Sequence, residues 1–292
     1  MSGLCQDRVV VVTGAGRGIG RAHALAFAAE GAPVVVNDVD GDATAAVVAE
    51  IGELGGKAVA NTSDVADWAG ARELIGTAVE NFGRLDVLVN NAGFLRDRML
   101  VNLAEDEWDA VIRVHLKGHF APLRHAAEHW RAEAKAGRTP QARVINTSSG
   151  AGLLGSVGQG NYSAAKAGIA GLTVVAAAEL ARYGVTVNAI APAARTRMTE
   201  AVFASMARPE TGFDAMAPEN VSPLVVWLGS EESAHVTGRV FEVEGGKVSL
   251  AQAWRHGPAV DKGERWDPAE LGPVVKELLE RAPGPEPVYG AS

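Results

Sequence analysis

Tyr162 and Lys166 carry the most specific chemistry in the sequence. In Tyr162-Ser-Ala-Ala-Lys166 the two residues are four apart and share one face of a helix. An ammonium beside a phenol favours the phenolate and lowers its pKa from about 10 toward the neutral range. A phenol tuned in this way can serve as general acid/base between an alcohol and a ketone. The same spacing is common in solvated helices, so the pair gains meaning from its surroundings. Ser149 follows a predicted strand upstream of Tyr162, and a hydroxyl there can hold the substrate oxygen.

A second group of residues reads as an anion site. Thr13-Gly14-Ala15-Gly16-Arg17-Gly18-Ile19-Gly20 lies between a Val run and an Ala-rich helix. Its glycines permit a tight turn and close backbone approach to a pyrophosphate. The helix that follows offers unpaired N–H groups and the positive end of its dipole. A glycine-rich string alone could be a flexible loop; its place between strand and helix favours dinucleotide binding. Asp38 ends the second strand, where a carboxylate accepts hydrogen bonds from the adenosine ribose and repels a 2′-phosphate. It favours NAD over NADP. Arg17 points the other way, because a basic residue in this turn can serve a 2′-phosphate. Asn90-Asn91-Ala92-Gly93 follows the fourth strand, where Gly93 lets the backbone approach a cofactor.

These residues require a scaffold that presents them at strand ends. Short β-branched runs alternate with helical patterns along the chain. Strands are predicted at 9–12, 34–36, 57–61, 87–89, 143–147, 186–190 and 240–243. Helices are predicted at 22–30, 43–54, 68–82, 105–131 and 164–181, three of them stopped by glycines at Gly31, Gly55 and Gly83. This alternation implies right-handed crossovers and an α/β, doubly wound, Rossmann-type parallel sheet of seven strands with helices on both faces. Such sheets bind ligands beyond the carboxyl ends of their strands. Residues 1–247 read as one dinucleotide-binding catalytic domain. Residues 248–292 read as a C-terminal extension packed on the domain or at an oligomer interface. A helix is expected at 268–281, opening on Asp267-Pro268. Leu271, Val274, Val275, Leu278 and Leu279 give it one apolar stripe.

Composition limits the alternatives. The hydrophobic fraction is 47% with 5% aromatics, which suits a core of small aliphatic side chains. A net charge of −8 argues against nucleic-acid binding. The single cysteine, Cys5, excludes an internal disulfide and a Cys-rich metal site, and no metal is expected. It fits a reducing compartment, the cytoplasm. No signal peptide is read at the start, and no apolar run long enough to span a bilayer is expected.

Taken together, the TGxxxGxG turn, the NNAG after strand four, Ser149 and the YxxxK pair resemble the short-chain dehydrogenase/reductase family over roughly residues 8–246. That resemblance implies Tyr162 as acid/base, Lys166 as binder of the nicotinamide ribose and tuner of Tyr162, and Ser149 as orienter of the carbonyl or hydroxyl. It further implies adenine contacts at Asp64 and Val65, an adenosine side lined by Asn91, Ala92 and Gly93, and a nicotinamide carboxamide near Pro192 and Thr196. Members commonly form homodimers or homotetramers. Two departures stand out. His115, in Val114-His-Leu-Lys-Gly118, takes the place of the family's relay asparagine. It either holds a proton-relay water or packs as a neutral ring. Pro192-Ala193 replaces the family's Pro-Gly after strand six.

Longer strings, among them Val34–Asp38, Gly56–Asn61, Leu95–Arg98, Arg113–Gly118, Gly158–Tyr162 and Thr196–Thr199, resemble a subgroup of that family, the (3R)-hydroxyacyl-CoA dehydrogenase domains of peroxisomal multifunctional enzymes of type 2. The subgroup implies NAD-dependent oxidation of a secondary alcohol on a fatty or steroid-side-chain acyl-CoA. The alternatives are a dehydrogenase of free hydroxysteroids, an NADPH-dependent 3-oxoacyl reductase, and a non-catalytic dinucleotide sensor. Met198, Val202, Phe203, Met206, Phe213 and Met216 make the segment after strand six apolar, as a substrate cover or as ordinary packing. Arg195, Arg197 and Arg208 could meet CoA phosphates.

Overall fold

The computed structural model describes residues 3–196, 209, 211–252, 254–284, 286 and 288. Among these residues, eight strands form one sheet: β1 (Val10–Thr13), β2 (Val34–Asn37), β3 (Ala58–Asn61), β4 (Val87–Asn90), β5 (Ala142–Thr147), β6 (Val185–Ala193), β7 (Val240–Glu244) and β8 (Lys247–Ala251). Their order is β3-β2-β1-β4-β5-β6-β7-β8. The first seven are parallel. The eighth strand is a correction to the seven-stranded expectation. It runs antiparallel to β7, from Val240 opposite Ala251 to Glu244 opposite Lys247. The turn that returns it uses Gly245 at φ 53°. β8 is only partly buried, so Lys247-Val-Ser-Leu-Ala251 lacks the continuous apolar run by which the other strands are read.

The core lies on both faces of the sheet, as the Val runs require. Val10, Val12, Val34, Val36, Val87 and Val89 belong to one buried cluster. Their neighbours Val9, Val11, Val35 and Leu88 belong to the other. Successive side chains alternate faces, so a strand buried on both sides must be apolar throughout. Each such side chain contributes about 1.5–3 kcal/mol on burial.

The helices are α1 (Gly18–Ala29), α2 (Gly41–Glu53), α3 (Trp68–Phe82), α4 (Glu105–Ile112), α5 (Gly118–Lys135), α6 (Gly150–Leu154), α7 (Gly160–Leu180), α8 (Ser222–Gly229) and α9 (Leu271–Arg281). Three differences from expectation concern the site. First, α1 begins at Gly18, not Ala22, so the glycines themselves form its first turn. Second, the expected continuous helix over 105–131 extends to Lys135 and is interrupted by a π-turn at Arg113–Lys117. Third, α7 opens at Gly160, which puts Tyr162 in its first turn.

The membrane expectation also has one exception. The stretch Gly160–Tyr183 is long and apolar enough to cross a bilayer by length and composition. Here it packs on β5 and β6 and carries Tyr162 and Lys166, as a core helix rich in Ala and Gly.

Arg143 and Arg8, both buried, bind the carboxyl end of α8. Arg143 Nε donates to the Ser230 carbonyl at 3.0 Å and Arg8 Nε to the Gly229 carbonyl at 2.9 Å. Guanidinium groups suit that end of a helix dipole. The extension contains the expected helix, capped by Asp267 accepting from the Ala269 N–H at 2.9 Å. None of the α9 residues is buried within the single chain. Trp254 is fully exposed.

Candidate active site

The carboxyl ends of β1, β4, β5 and β6 converge on one cavity of about 300 Å³. Its walls include Gly14, Arg17, Gly18, Ile19 and Gly20 from the turn, Asp38, Asn91, Gly93, His115, Ser149, Tyr162, Lys166, Pro192 and Thr196. The four residues assigned to catalysis and most of those assigned to the cofactor therefore share one space. Thr147, Ser148 and Ala194 line it as well and were not singled out from sequence. Their position at the ends of β5 and β6 was the available signal.

Asp64, Val65 and Ala92 do not line the cavity. Asp64 receives the Arg113 guanidinium at 2.6 Å, and Val65 is buried in the core. Ala92 lies beneath the turn, its N–H donating to Thr13 Oγ1 at 3.1 Å. Arg197, Met198, Val202, Phe203, Met206 and Arg208 lie outside the described residues. Arg195 is paired with Asp214, not presented to the cavity as an open cation.

The turn after β1 is held rigidly. Asn91 Nδ2 donates to the carbonyls of Thr13 and Gly14 at 2.9 and 3.2 Å. A β-carbon on Gly20 would lie 2.2 Å from the Gly14 carbonyl oxygen, so only glycine permits this approach. The α1 N-terminus has no side-chain cap, which leaves its first-turn N–H groups directed at the cavity. Asp38 is fixed between the Gly16 and Asp40 N–H groups, at 3.1 Å each.

At the other end, Lys166 is buried and its ammonium donates to the Thr147 carbonyl at 2.6 Å. Burial brings its pKa from 10.5 to about 7. The ammonium stands 5.5 Å from the centre of the Tyr162 ring. Ser149 caps α6, its Oγ accepting from the Ala151 N–H at 3.2 Å. Ser148 Oγ donates to the Lys166 carbonyl at 2.9 Å, tying the strand end to α7.

His115 enters the cavity because the π-turn widens the helix at its position. Its Nε2 meets the Phe94 carbonyl at 2.7 Å and the Phe94 N–H at 3.0 Å. The ring stands edge-on to Tyr162, 5.2 Å between centroids. Burial, with Lys166 adding to it, lowers its pKa to about 3, so the ring is neutral at neutral pH. Nδ1 is buried and has no hydrogen-bond partner among the described residues.

The ring also revises the reading of Gly93. A β-carbon there would lie 2.2 Å from His115 Cε1, so the histidine already demands a glycine before any cofactor does.

The family model described as short chain dehydrogenase matches residues 8–207. The chain is 48% identical to the hydroxyacyl-CoA dehydrogenase ChsB1 of Mycobacterium tuberculosis over 93% of this chain and 88% of that one. It is 46% identical to the mouse peroxisomal multifunctional enzyme type 2 over 82% of this chain and 32% of the mouse protein. Among solved structures, a short chain dehydrogenase from Mycobacterium avium superposes with a TM-score of 0.91 at 64% identity, covering 99% of this chain and 100% of the other. The chain belongs to the short-chain dehydrogenase family, and it is an oxidoreductase interconverting secondary alcohols and ketones.

The fit between His115 and Gly93 is open to a stability test. Gly93→Ala should cost about 1–3 kcal/mol in chemical denaturation, as overpacking does. In a His115→Ala background the same change should cost little. Equal losses in both backgrounds would show that Gly93 answers to something other than His115.

Proposed function

We propose that the protein is an NAD-dependent 3-hydroxyacyl-CoA dehydrogenase whose acid/base is Tyr162. The convergence of Tyr162, Lys166 and Ser149 on one cavity, with Asp38 at its far end, carries this reading. The 48% identical mycobacterial relative is a hydroxyacyl-CoA dehydrogenase, which supports the acyl-CoA substrate. The residues present fit a dinucleotide. The uncapped α1 N-terminus and its glycines would hold the pyrophosphate, and Asp38 the adenosine ribose. Lys166 would hold the second ribose, with Pro192 and Thr196 beside the nicotinamide. When bound, the nicotinamide accepts or returns the hydride.

The chain's own residues handle the proton. In alcohol oxidation Ser149 Oγ hydrogen-bonds the substrate oxygen and Tyr162 Oη takes its proton. Lys166, its charge turned inward on Thr147 and toward the Tyr162 ring, favours the phenolate that receives it. The orphaned Nδ1 of His115 suits a water that passes the proton onward. A neutral ring with one nitrogen engaged by Phe94 holds such a water by its other nitrogen; it does not carry the proton as an imidazolium.

We further infer a homo-oligomer. Phe120 on α5 and Val174 and Val175 on α7 are exposed, and α9 presents Leu271, Val275 and Leu279 to solvent in the single chain. An amphipathic helix with an open stripe gains stability only by covering it. Cys5, a buried free thiol, fits a reducing cytoplasm.

Two experiments check these readings. Turnover should be highest with 3-hydroxyacyl-CoA thioesters in a panel that includes free hydroxysteroids. On the best substrate Tyr162→Phe should lose about 10²–10⁴ in kcat. In the same series His115→Asn should retain activity and His115→Leu should lose it. Near-parent turnover by Tyr162→Phe would remove the phenol from the mechanism, and superior turnover of free steroids would replace the substrate class. For the assembly, Val275→Glu with Leu279→Glu should lower the mass measured by light scattering. An unchanged mass would exclude α9 from the interface.

A further inference from the structure

Arg17 and Asp38 give opposite electrostatic instructions at the adenosine end of the cavity, since both line it. A carboxylate there repels a 2′-phosphate, whereas a guanidinium in the phosphate-binding turn attracts one. The structure shows what Arg17 does instead. Its Nη2 donates to Asp40 Oδ2 at 2.6 Å. Asp40 is itself fixed at both ends. Its Oδ1 accepts from the Ala43 N–H at 3.1 Å as the cap of α2, and its own N–H donates to Asp38 Oδ1 at 3.1 Å. Asp38 Oδ2 closes the chain on the Gly16 N–H at 3.1 Å. The turn, both aspartates and the start of α2 are thus one hydrogen-bonded unit, with Arg17 drawn onto it.

We propose that Asp40 is a specificity-determining residue: it holds the Arg17 guanidinium in an ion pair and so withholds it from the 2′-phosphate of NADP. This rests on the reading of the site as NAD-dependent. Asp38 alone would face an adjacent free cation that compensates its repulsion. With Asp40 present, the rim carries two carboxylates against one guanidinium, a net negative charge where a 2′-phosphate would bring more. The pair is solvent-exposed, at 57% for the Arg17 side chain and 36% for Asp40. Exposed pairs are weak and screened by salt, so the effect is a bias of several-fold rather than an absolute gate.

Asp40→Asn isolates the charge, because asparagine caps a helix as well as aspartate does. Asp40→Ser, also a capping residue, serves as a second variant if the first is unstable. The readout is the dissociation constant of NADH and of NADPH by nucleotide fluorescence, at low and high salt. The parent should bind NADH more tightly. Asp40→Asn should lower the NADPH/NADH ratio of dissociation constants about fivefold at low salt, less at high salt. The change should vanish when Arg17→Ala is added. A parent that prefers NADH with a ratio unmoved by Asp40→Asn would overturn the proposal and leave the NAD reading standing. A gain that persists without Arg17 would overturn it too, by showing that Asp40 acts through its own charge. A parent that prefers NADPH would overturn the NAD reading and this inference with it.

Discussion

A lysine ammonium buried at the end of β5 has lost its water and must find its partners inside the protein. Lys166 Nζ donates one hydrogen bond to the Thr147 carbonyl and otherwise faces the cavity. The penalty for that burial appears as its lowered pKa, which puts the group near its titration point at neutral pH. Any nearby negative charge then favours the protonated form strongly. In the proposed mechanism the phenolate of Tyr162, one turn earlier on α7, supplies that charge. Two groups coupled in that way titrate as a pair rather than as separate residues.

Much of the surrounding structure serves to hold that lysine still. Ser148 donates to the Lys166 carbonyl. Gly152 lies so close that a β-carbon there would meet the Lys166 Cβ at 2.5 Å, so α6 packs directly on α7. Beneath the strand ends, Asn90 Nδ2 donates to Asn146 Oδ1 at 3.0 Å, and Asn146 Nδ2 donates to Thr173 Oγ1 at 2.9 Å. These buried amides tie β4, β5 and α7 together across the face that carries the site. His119, fully buried nearby, is kept neutral chiefly by its burial and secondarily by Lys166.

The strands of the parallel sheet were legible because burial on both faces leaves a continuous apolar run, as at Val34-Val-Val36. The turn, Asp38, Ser149 and the Tyr162–Lys166 pair were legible because glycine conformation and i,i+4 geometry are local. The features that escaped detection depend on contacts distant in sequence. The π-turn carries the His115 ring to a seat against Gly93 and Phe94, which lie on another segment of the chain. β8 exists because β7 offers it an edge, although its residues are half-polar. Arg17 taken by itself signals a 2′-phosphate, and only the fold shows its ion pair with Asp40, two residues beyond Asp38. Asp64 is engaged by Arg113, a partner distant in sequence that no local pattern announces.

The dependence of Tyr162 on a buried cation can be measured directly through the pH profile of hydride transfer at saturating cofactor and substrate. The parent rate of alcohol oxidation should fall as pH drops through a single inflection, where the Tyr162–Lys166 pair takes up a proton. In Lys166→Met the phenolate loses its cation, and the inflection should move upward by about one pH unit or more. An inflection at the same pH in both proteins would contradict the coupling on which this account of the site rests.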